Sequence, residues 1–317
     1  MLGEYQLKFM NQPSSSEPIN PLFASYIEHY APMITLLPDK PEESIENTIR
    51  ALWLCAAGIH VSVVRSMDIP LPELSEDQKN TLISLLEKRA SGIPLAHLTG
   101  RQWFMGLEFR CSPQALIPRK ETELLGYTAL KIMKERLSGT KGIARVLDIC
   151  TGSGNLACAL AVYAQEAVVY ASDLAEDAVT LASKNAEEYK LGRRFNARAG
   201  DLFKPFPDDE FSGFFNLIVC NPPYITSGKV TSLPGEIVRY EPKLAFDAGP
   251  LGLAIITRLI NEAPKYLASQ GWLAFEIGLG QGPFILQRIN KNGRFKNIEA
   301  ITDANGEIRG IIAQRID

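Results

Sequence analysis

The chain has 317 residues, 46% hydrophobic and 22% charged, with a formal net charge of −3. That is enough apolar material to bury a full core in one large or two smaller domains, and it excludes a disordered or fibrous chain. The slightly acidic balance argues against a protein that draws its affinity from nucleic-acid phosphates, and no run of 18 apolar residues suggests a membrane span. Five cysteines (Cys55, Cys111, Cys150, Cys158, Cys220) without a C-x-x-C pair read as free thiols in a reducing cytoplasm, not as a disulfide framework or a zinc site.

The first residues lack the apolar run of a secretory signal. Residues 1–40 read as a loose extension, Pro/Ser-rich from Pro13 to Pro18, with one helix near Leu22–Leu37. From Glu43 to about Ser66, apolar residues at Ile45, Ile49, Leu52, Leu54 and Cys55 recur at helical spacing. Ser75 to Lys88 is a second helix, capped by Ser75. The chain therefore divides into an N-terminal helical, substrate-docking domain (1–90), a turn-rich linker with a hairpin (91–115) and a catalytic domain (116–317). In the last, strands at Arg145–Cys150, Ala167–Asp173, Ala197–Asp201, Phe215–Asn221 and Gly271–Ile277 are separated by helices at Asn155–Gln165, Leu174–Lys190 and Ile255–Ala268. A strand pair at Ile298–Thr302 and Arg309–Arg315 closes the chain. The fold class is α/β: a mostly parallel sheet covered on both faces, with functional groups at the carboxyl ends of the strands.

Two segments carry chemistry. V-L-D-I-C-T-G-S-G, Val146 to Gly154, ends a strand and opens a helix. It is neither G-x-G-x-x-G nor G-x-x-x-x-G-K-[ST], which disfavours a dinucleotide and a nucleoside triphosphate. Amides of Cys150, Thr151, Gly152, Ser153 and Gly154 suit a carboxylate, and Asp148 suits an ammonium. Asp173, ending the second strand, suits two ribose hydroxyls. Asp201 suits an adenine amino group and Leu202 the adenine face. Amino acid, ribose and adenine in that order describe S-adenosyl-L-methionine. The competing reading is an ordinary tight strand-to-helix turn.

The second segment is Asn221-Pro222-Pro223-Tyr224, directly after the fourth strand. A planar NH2 group becomes a nucleophile when two acceptors grip its hydrogens and fix its orientation. The Asn221 side-chain oxygen and the Pro222 carbonyl can do this on a backbone stiffened by two prolines, while Tyr224 stacks on the flat group. The nitrogen lone pair is then aimed for in-line displacement, and the methylated nitrogen sheds its proton easily, so no strong base and no metal is called for. In isolation, a strand-terminating turn explains the four residues equally well.

Together these segments resemble the release-factor glutamine methyltransferases, over about residues 75–317. Pro94–Gly100, Leu116–Glu123, Tyr240–Pro242 with Leu244, Ala245 and Gly249, Glu276–Gly278 with Gln281 and Gly282, and Asp303–Arg309 carry the likeness beyond the generic motifs. The resemblance implies a class I methyltransferase fold, a cytoplasmic monomer that takes part in translation termination, S-adenosyl-L-methionine as cofactor, and the Gly-Gly-Gln glutamine of class-1 peptide chain release factors as substrate. It also implies that Cys150 to Gly154, Asp173, Leu202 and Asn221 line the cofactor and that Asn221 to Tyr224 hold the glutamine. Cys150 departs from the more usual Gly, a variant familiar from the sister family that modifies a large-subunit ribosomal protein. Lys120 and Leu251 depart from a usual Pro and Asp. The ribosomal protein is the alternative substrate, and adenine N6-methylation of nucleic acid is a further one that the charge disfavours. Trp103 and Phe104 are expected to pack between domains, the three histidines to be structural, Arg119 and Glu123 to close the cleft or pair locally, and Glu276 to be a strand-end carboxylate.

Overall fold

The computed structural model describes residues 20–136, 143–249 and 252–317; the Pro/Ser-rich stretch lies outside them. Among the described residues five helices come first: α1 (Pro21–Tyr30), α2 (Ile45–Ala56), α3 (Val63–Ser66), α4 (Glu76–Ala90) and α5 (Leu95–Thr99). The helix expected through Ser66 is broken, because Gly58 adopts φ +85° directly after α2. Ser75 and Gln78 form a capping box on α4. These helices close on Trp53, around Phe23, Ile49, Leu52, Leu82, Leu86 and Leu95.

A hairpin of β1 (Arg101–Phe104) and β2 (Leu107–Arg110) follows. Phe104 and Phe109 are fully buried in the same cluster as α6 (Thr122–Arg136), so the hairpin packs on the sheet domain and is not a free linker. Next come β3 (Arg145–Ile149), α7 (Asn155–Tyr163), β4 (Val168–Asp173), α8 (Glu176–Glu188), β5 (Phe195–Ala199), α9 (Asp208–Phe211) and β6 (Phe215–Cys220). The chain then runs through α10 (Ser227–Val230), α11 (Gly235–Tyr240), α12 (Ala254–Tyr266), β7 (Leu267–Glu276), α13 (Gly282–Asn292), β8 (Phe295–Thr302) and β9 (Ile308–Arg315).

Seven strands form one sheet in the order β5-β4-β3-β6-β7-β9-β8, parallel from β5 through β7 and antiparallel at β9 and β8. Side chains alternate between its faces. Val146, Leu217 and Val219 join the α6/α7 side, while Leu147, Ile149, Ile218 and Cys220 join the other. Both faces are dry, which is why the strands read as unbroken apolar runs. From β3 the chain winds outward through β4 and β5, then returns to β6 on β3's other side, so the order reverses between β3 and β6. In such sheets ligands bind at that crevice, beyond the carboxyl ends. The register aligns Ile149 with Cys220, which makes the glycine loop and the Asn-Pro-Pro-Tyr segment neighbours.

Candidate active site

The loop after β3 turns sharply. Cys150, Gly152 and Gly154 take φ of 60°, 55° and 75°. Gly154 has a second constraint, since a Cβ there would sit 2.7 Å from Ala182 Cβ and 2.9 Å from its Cα. At Gly152 a Cβ would meet nothing within 4 Å, so the loop is open on that side. Asn185 on α8 braces the turn by donating Nδ2 to Ser153 O at 2.8 Å. Asp148 is buried and accepts the Thr151 hydroxyl at 2.6 Å. Burial pushes its carboxyl up to about 7, with Thr151 and the Ala157 amide opposing only in part.

At the tip of β4, Asp173 accepts Gly152 N–H at 2.8 Å and Ala175 N–H at 3.0 Å. These two bonds fix the carboxylate against the glycine loop. Its carboxyl is nonetheless raised, because burial outweighs those bonds. Asp201, expected to meet an adenine amino group, has both oxygens on Arg258 (2.8 and 3.1 Å), and Lys204 lies 3.1 Å away. Leu202 is buried with φ 50°, its carbonyl accepting the Ser172 hydroxyl at 3.0 Å. Asp201 thus acts at least as an anchor for α12, while Leu202 faces the adjoining core.

Beyond β6, Asn221 donates Nδ2 to Thr122 Oγ1 at 3.0 Å, which leaves Oδ1 as its accepting end. Tyr224 is held three ways by the end of β7 and the segment after it. Its hydroxyl donates to Glu276 Oε1 at 3.0 Å, and its carbonyl accepts Gln281 Nε2 at 3.1 Å. Its ring lies 3.0 Å from where a Cβ on Gly278 would be. Burial raises the Glu276 carboxyl and, together with that carboxylate, the Tyr224 phenol. Asn221, Pro222, Pro223, Tyr224, Glu276 and Arg119 line one cavity of about 180 Å³, many times the roughly 15 Å³ that one water needs.

Sequence reading missed the orienting roles of Thr122 and Gln281; for Glu276 it favoured a strand-end role over a place near the site, and Glu276 both ends β7 and lines the cavity. Thr122 and Asn221 lie 99 positions apart and Gln281 and Tyr224 57, so no local spacing reveals them. Their only signal was membership of the segments carrying the family likeness. Arg119 pairs with Glu241, and Glu123 accepts Met105 N–H at 2.7 Å. His97 is half-buried, and that burial lowers its pKa to about 4, while His60 sits beside Cys55 and the Thr99 carbonyl.

A seven-stranded sheet with this order, a glycine turn after the first parallel strand and an acidic tip on the second defines a class I S-adenosyl-methionine-dependent methyltransferase. Residues 128–244 match the Methyltransferase small domain family. Release factor glutamine methyltransferase of Geobacter sulfurreducens is 35% identical over 279 residues, 87% of this chain and 92% of that protein. Ribosomal protein uL3 glutamine methyltransferase of Bordetella pertussis is 33% identical over 230 residues, 72% of this chain and 74% of that protein. Among solved structures, the hMettl16 catalytic domain in complex with MAT2A 3'UTR hairpin 6 shares the fold at TM-score 0.53 and 15% identity, over 74% of this chain and 82% of that one. The chain belongs to the release factor glutamine methyltransferase family. Among the described residues no helix is long and apolar enough to cross a membrane.

Proposed function

We propose that this protein methylates the side-chain amide nitrogen of the glutamine in the Gly-Gly-Gln motif of class-1 peptide chain release factors, acting in the cytoplasm as a monomer. The observation that carries the reading is the juxtaposition at the β3/β6 crevice of an open glycine turn with Asn221, whose amide Thr122 turns so that its oxygen accepts. The residues fit S-adenosyl-L-methionine. The open face at Gly152 takes its carboxylate end, Asp148 its ammonium and the fixed Asp173 carboxylate its ribose. When bound, the cofactor supplies a methyl group on a sulfonium.

This chain's residues supply orientation. Asn221 Oδ1 and the Pro222 carbonyl accept the two hydrogens of the substrate carboxamide. The Tyr224 ring, held at its hydroxyl by Glu276 while Gln281 holds the backbone carbonyl, packs against the carboxamide plane. Held this way, the nitrogen presents its face to the cofactor side of the crevice, and positioning of this kind accounts for several kcal/mol of a barrier, up to about 7–11 in the best cases. The test is mass spectrometry of a purified class-1 release factor and of ribosomal protein uL3 after incubation with enzyme and cofactor. A gain of one methyl on the Gly-Gly-Gln glutamine is expected. Methyl on uL3 alone, which the Bordetella pertussis relative brings into range, would reassign the substrate.

Asp148 gives this reading a pH dependence. Burial pushes its carboxyl up to about 7, so between about pH 4 and about pH 7 the folded state holds a proton that the unfolded state has lost. Its ionisation therefore erodes stability as pH rises from about 4 to about 7. A cation placed beside it favours the carboxylate. Cofactor Kd should then fall as pH rises from about 6 to about 7.5 and rise again once the cofactor's own amino group, with a pKa of about 8, loses its proton. Titration calorimetry over the falling limb should show the slope in the native protein and not in Asp148→Asn. A native profile as flat as the variant's removes the ammonium role.

A further inference from the structure

The mouth of the carboxamide cavity is built by both halves of the chain. Asn221 to Tyr224 form one wall. The excursion from residue 226 to residue 245 contributes Ile237 of α11 and Ala245 to the same lining, and Asp39 of the helical unit joins them. The excursion is closed at its base by two backbone bonds, Ile225 N–H to Phe246 O at 3.0 Å and Ala248 N–H to Ile225 O at 2.8 Å. Beyond that base, carboxylates hold α11 at both ends. Glu241, just past its C-terminus, accepts Ile117 N–H at 2.9 Å and pairs with Arg119.

Glu236, in its first turn, is gripped from the helical unit: Lys40 Nζ donates at 2.7 Å and Arg89 Nη1 at 2.9 Å. Glu43 completes the cluster, 3.8 Å from Lys40 and 3.5 Å from Arg89. Lys40, Glu43, Arg89 and Glu236 are exposed by only 5, 2, 1 and 8%. Two cations thus meet two carboxylates out of contact with water. Burial pushes Glu236 up, but the Lys40 and Arg89 charges and hydrogen bonds win and hold its carboxyl below the ordinary range. Burial keeps Glu43 raised.

Four buried charges are a poor means of joining two units if stability is the aim, because an apolar contact of equal size does as well or better. What they add is register: each donor accepts one geometry, and a misplaced α11 would strand a buried charge. Lys40 also adjoins Asp39 in sequence, so the bond that seats α11 also ties down the residue next to a second part of the lining.

We infer that the Lys40–Glu236–Arg89 clamp is a positioning device through which the helical unit sets the outer wall of the cavity, so that a carboxamide on a protein loop meets a preformed mouth. The inference rests on the substrate reading above. None of the three touches the reacting atoms; they act through α11 and Asp39.

The test uses the full chain with Lys40→Met, Glu236→Gln and the double variant. Steady-state kinetics on a purified class-1 release factor, cofactor calorimetry and hydrogen exchange over residues 235–241 are measured well below each melting temperature. Each single variant is expected to raise KM for the protein about tenfold, with cofactor Kd moved less than about twofold. Exchange over residues 235–241 should quicken, and the double variant should lose no more than the worse single, since both act through one contact. Glu236→Asp, which keeps the charge, should recover part of the loss. Singles that melt lower yet keep native KM and native exchange overturn the inference, as does a cofactor Kd that rises in step with KM. If Glu236→Gln does not fold, Lys40→Met, which keeps the Arg89 contact, gives the same readout. A native enzyme that leaves the release factor unmodified would overturn the substrate reading instead, and the exchange measurement would still decide the clamp.

Discussion

Asn221→Ala is expected to lower kcat by about 10²–10³-fold, the usual effect of removing one preorganised polar group aimed at a reacting centre. Cofactor Kd should change by less than about threefold, because the glycine turn, Asp148 and Asp173 stay in place. The asymmetry follows from the geometry. Thr122 Oγ1 accepts Asn221 Nδ2 at 3.0 Å, so the oxygen is the end available to a ligand. Removing it leaves one carboxamide hydrogen without an acceptor and the nitrogen free to rotate away from its line of attack. KM should move little compared with kcat, since the rest of the protein interface is untouched. Single-turnover methylation with saturating cofactor separates the two effects. A variant with native single-turnover rate would remove Asn221 from the reaction, and one that fails to bind cofactor would assign it to the cofactor pocket instead. Thr122→Val should follow in the same direction by a smaller factor, because the Asn221 oxygen survives but loses its fixed aim.

Much of this site was legible in the sequence because its chemistry is local. Val146 to Gly154 and Asn221 to Tyr224 are contiguous, and each sits where a buried strand ends. The strand and helix alternation around them was readable because apolar runs of five or six residues can only be strands when helices cover both faces. What escaped was whatever depends on distant parts of the chain. α6 was missed because Gly126 and Thr128 interrupt its pattern and its apolar residues spread around the cylinder. α13 opens on Gly282-Pro283, which reads as a turn, although Ile285 and Ile289 at helical spacing were there to be counted. The strand expected at Ala197–Asp201 runs from Phe195 to Ala199, so Asp201 stands beyond its end and within reach of Arg258. Nothing near position 201 announces an arginine 57 residues on. The same holds for the clamp: Lys40, Arg89 and Glu236 each look like ordinary surface charges until the fold buries them together.

Gly154→Ala tests which glycine of the turn the fold itself requires. It should destabilise the protein by about 3–5 kcal/mol, a large share of the roughly 5–15 kcal/mol that a domain has. Two costs combine. At φ +75° an alanine is strained by about 1–2 kcal/mol. The larger cost is overpacking, since the new methyl would lie 2.7 Å from Ala182 Cβ and 2.9 Å from its Cα, atoms of α8 that move only if the helix moves. Shifting α8 also disturbs Asn185, which braces the turn at Ser153 O, so cofactor affinity should fall along with stability. Gly152→Ala is the contrasting case. Its φ is +55° but nothing lies within 4 Å of the added carbon, so the fold should lose only the strain of about 1–2 kcal/mol. The methyl would instead occupy the space assigned to the cofactor's carboxylate end. Denaturant melts and calorimetry on both variants should therefore rank them oppositely: Gly154→Ala worse in stability, Gly152→Ala worse in cofactor Kd relative to its stability loss. Equal losses in both measures would mean that the open face at Gly152 is not where the cofactor sits.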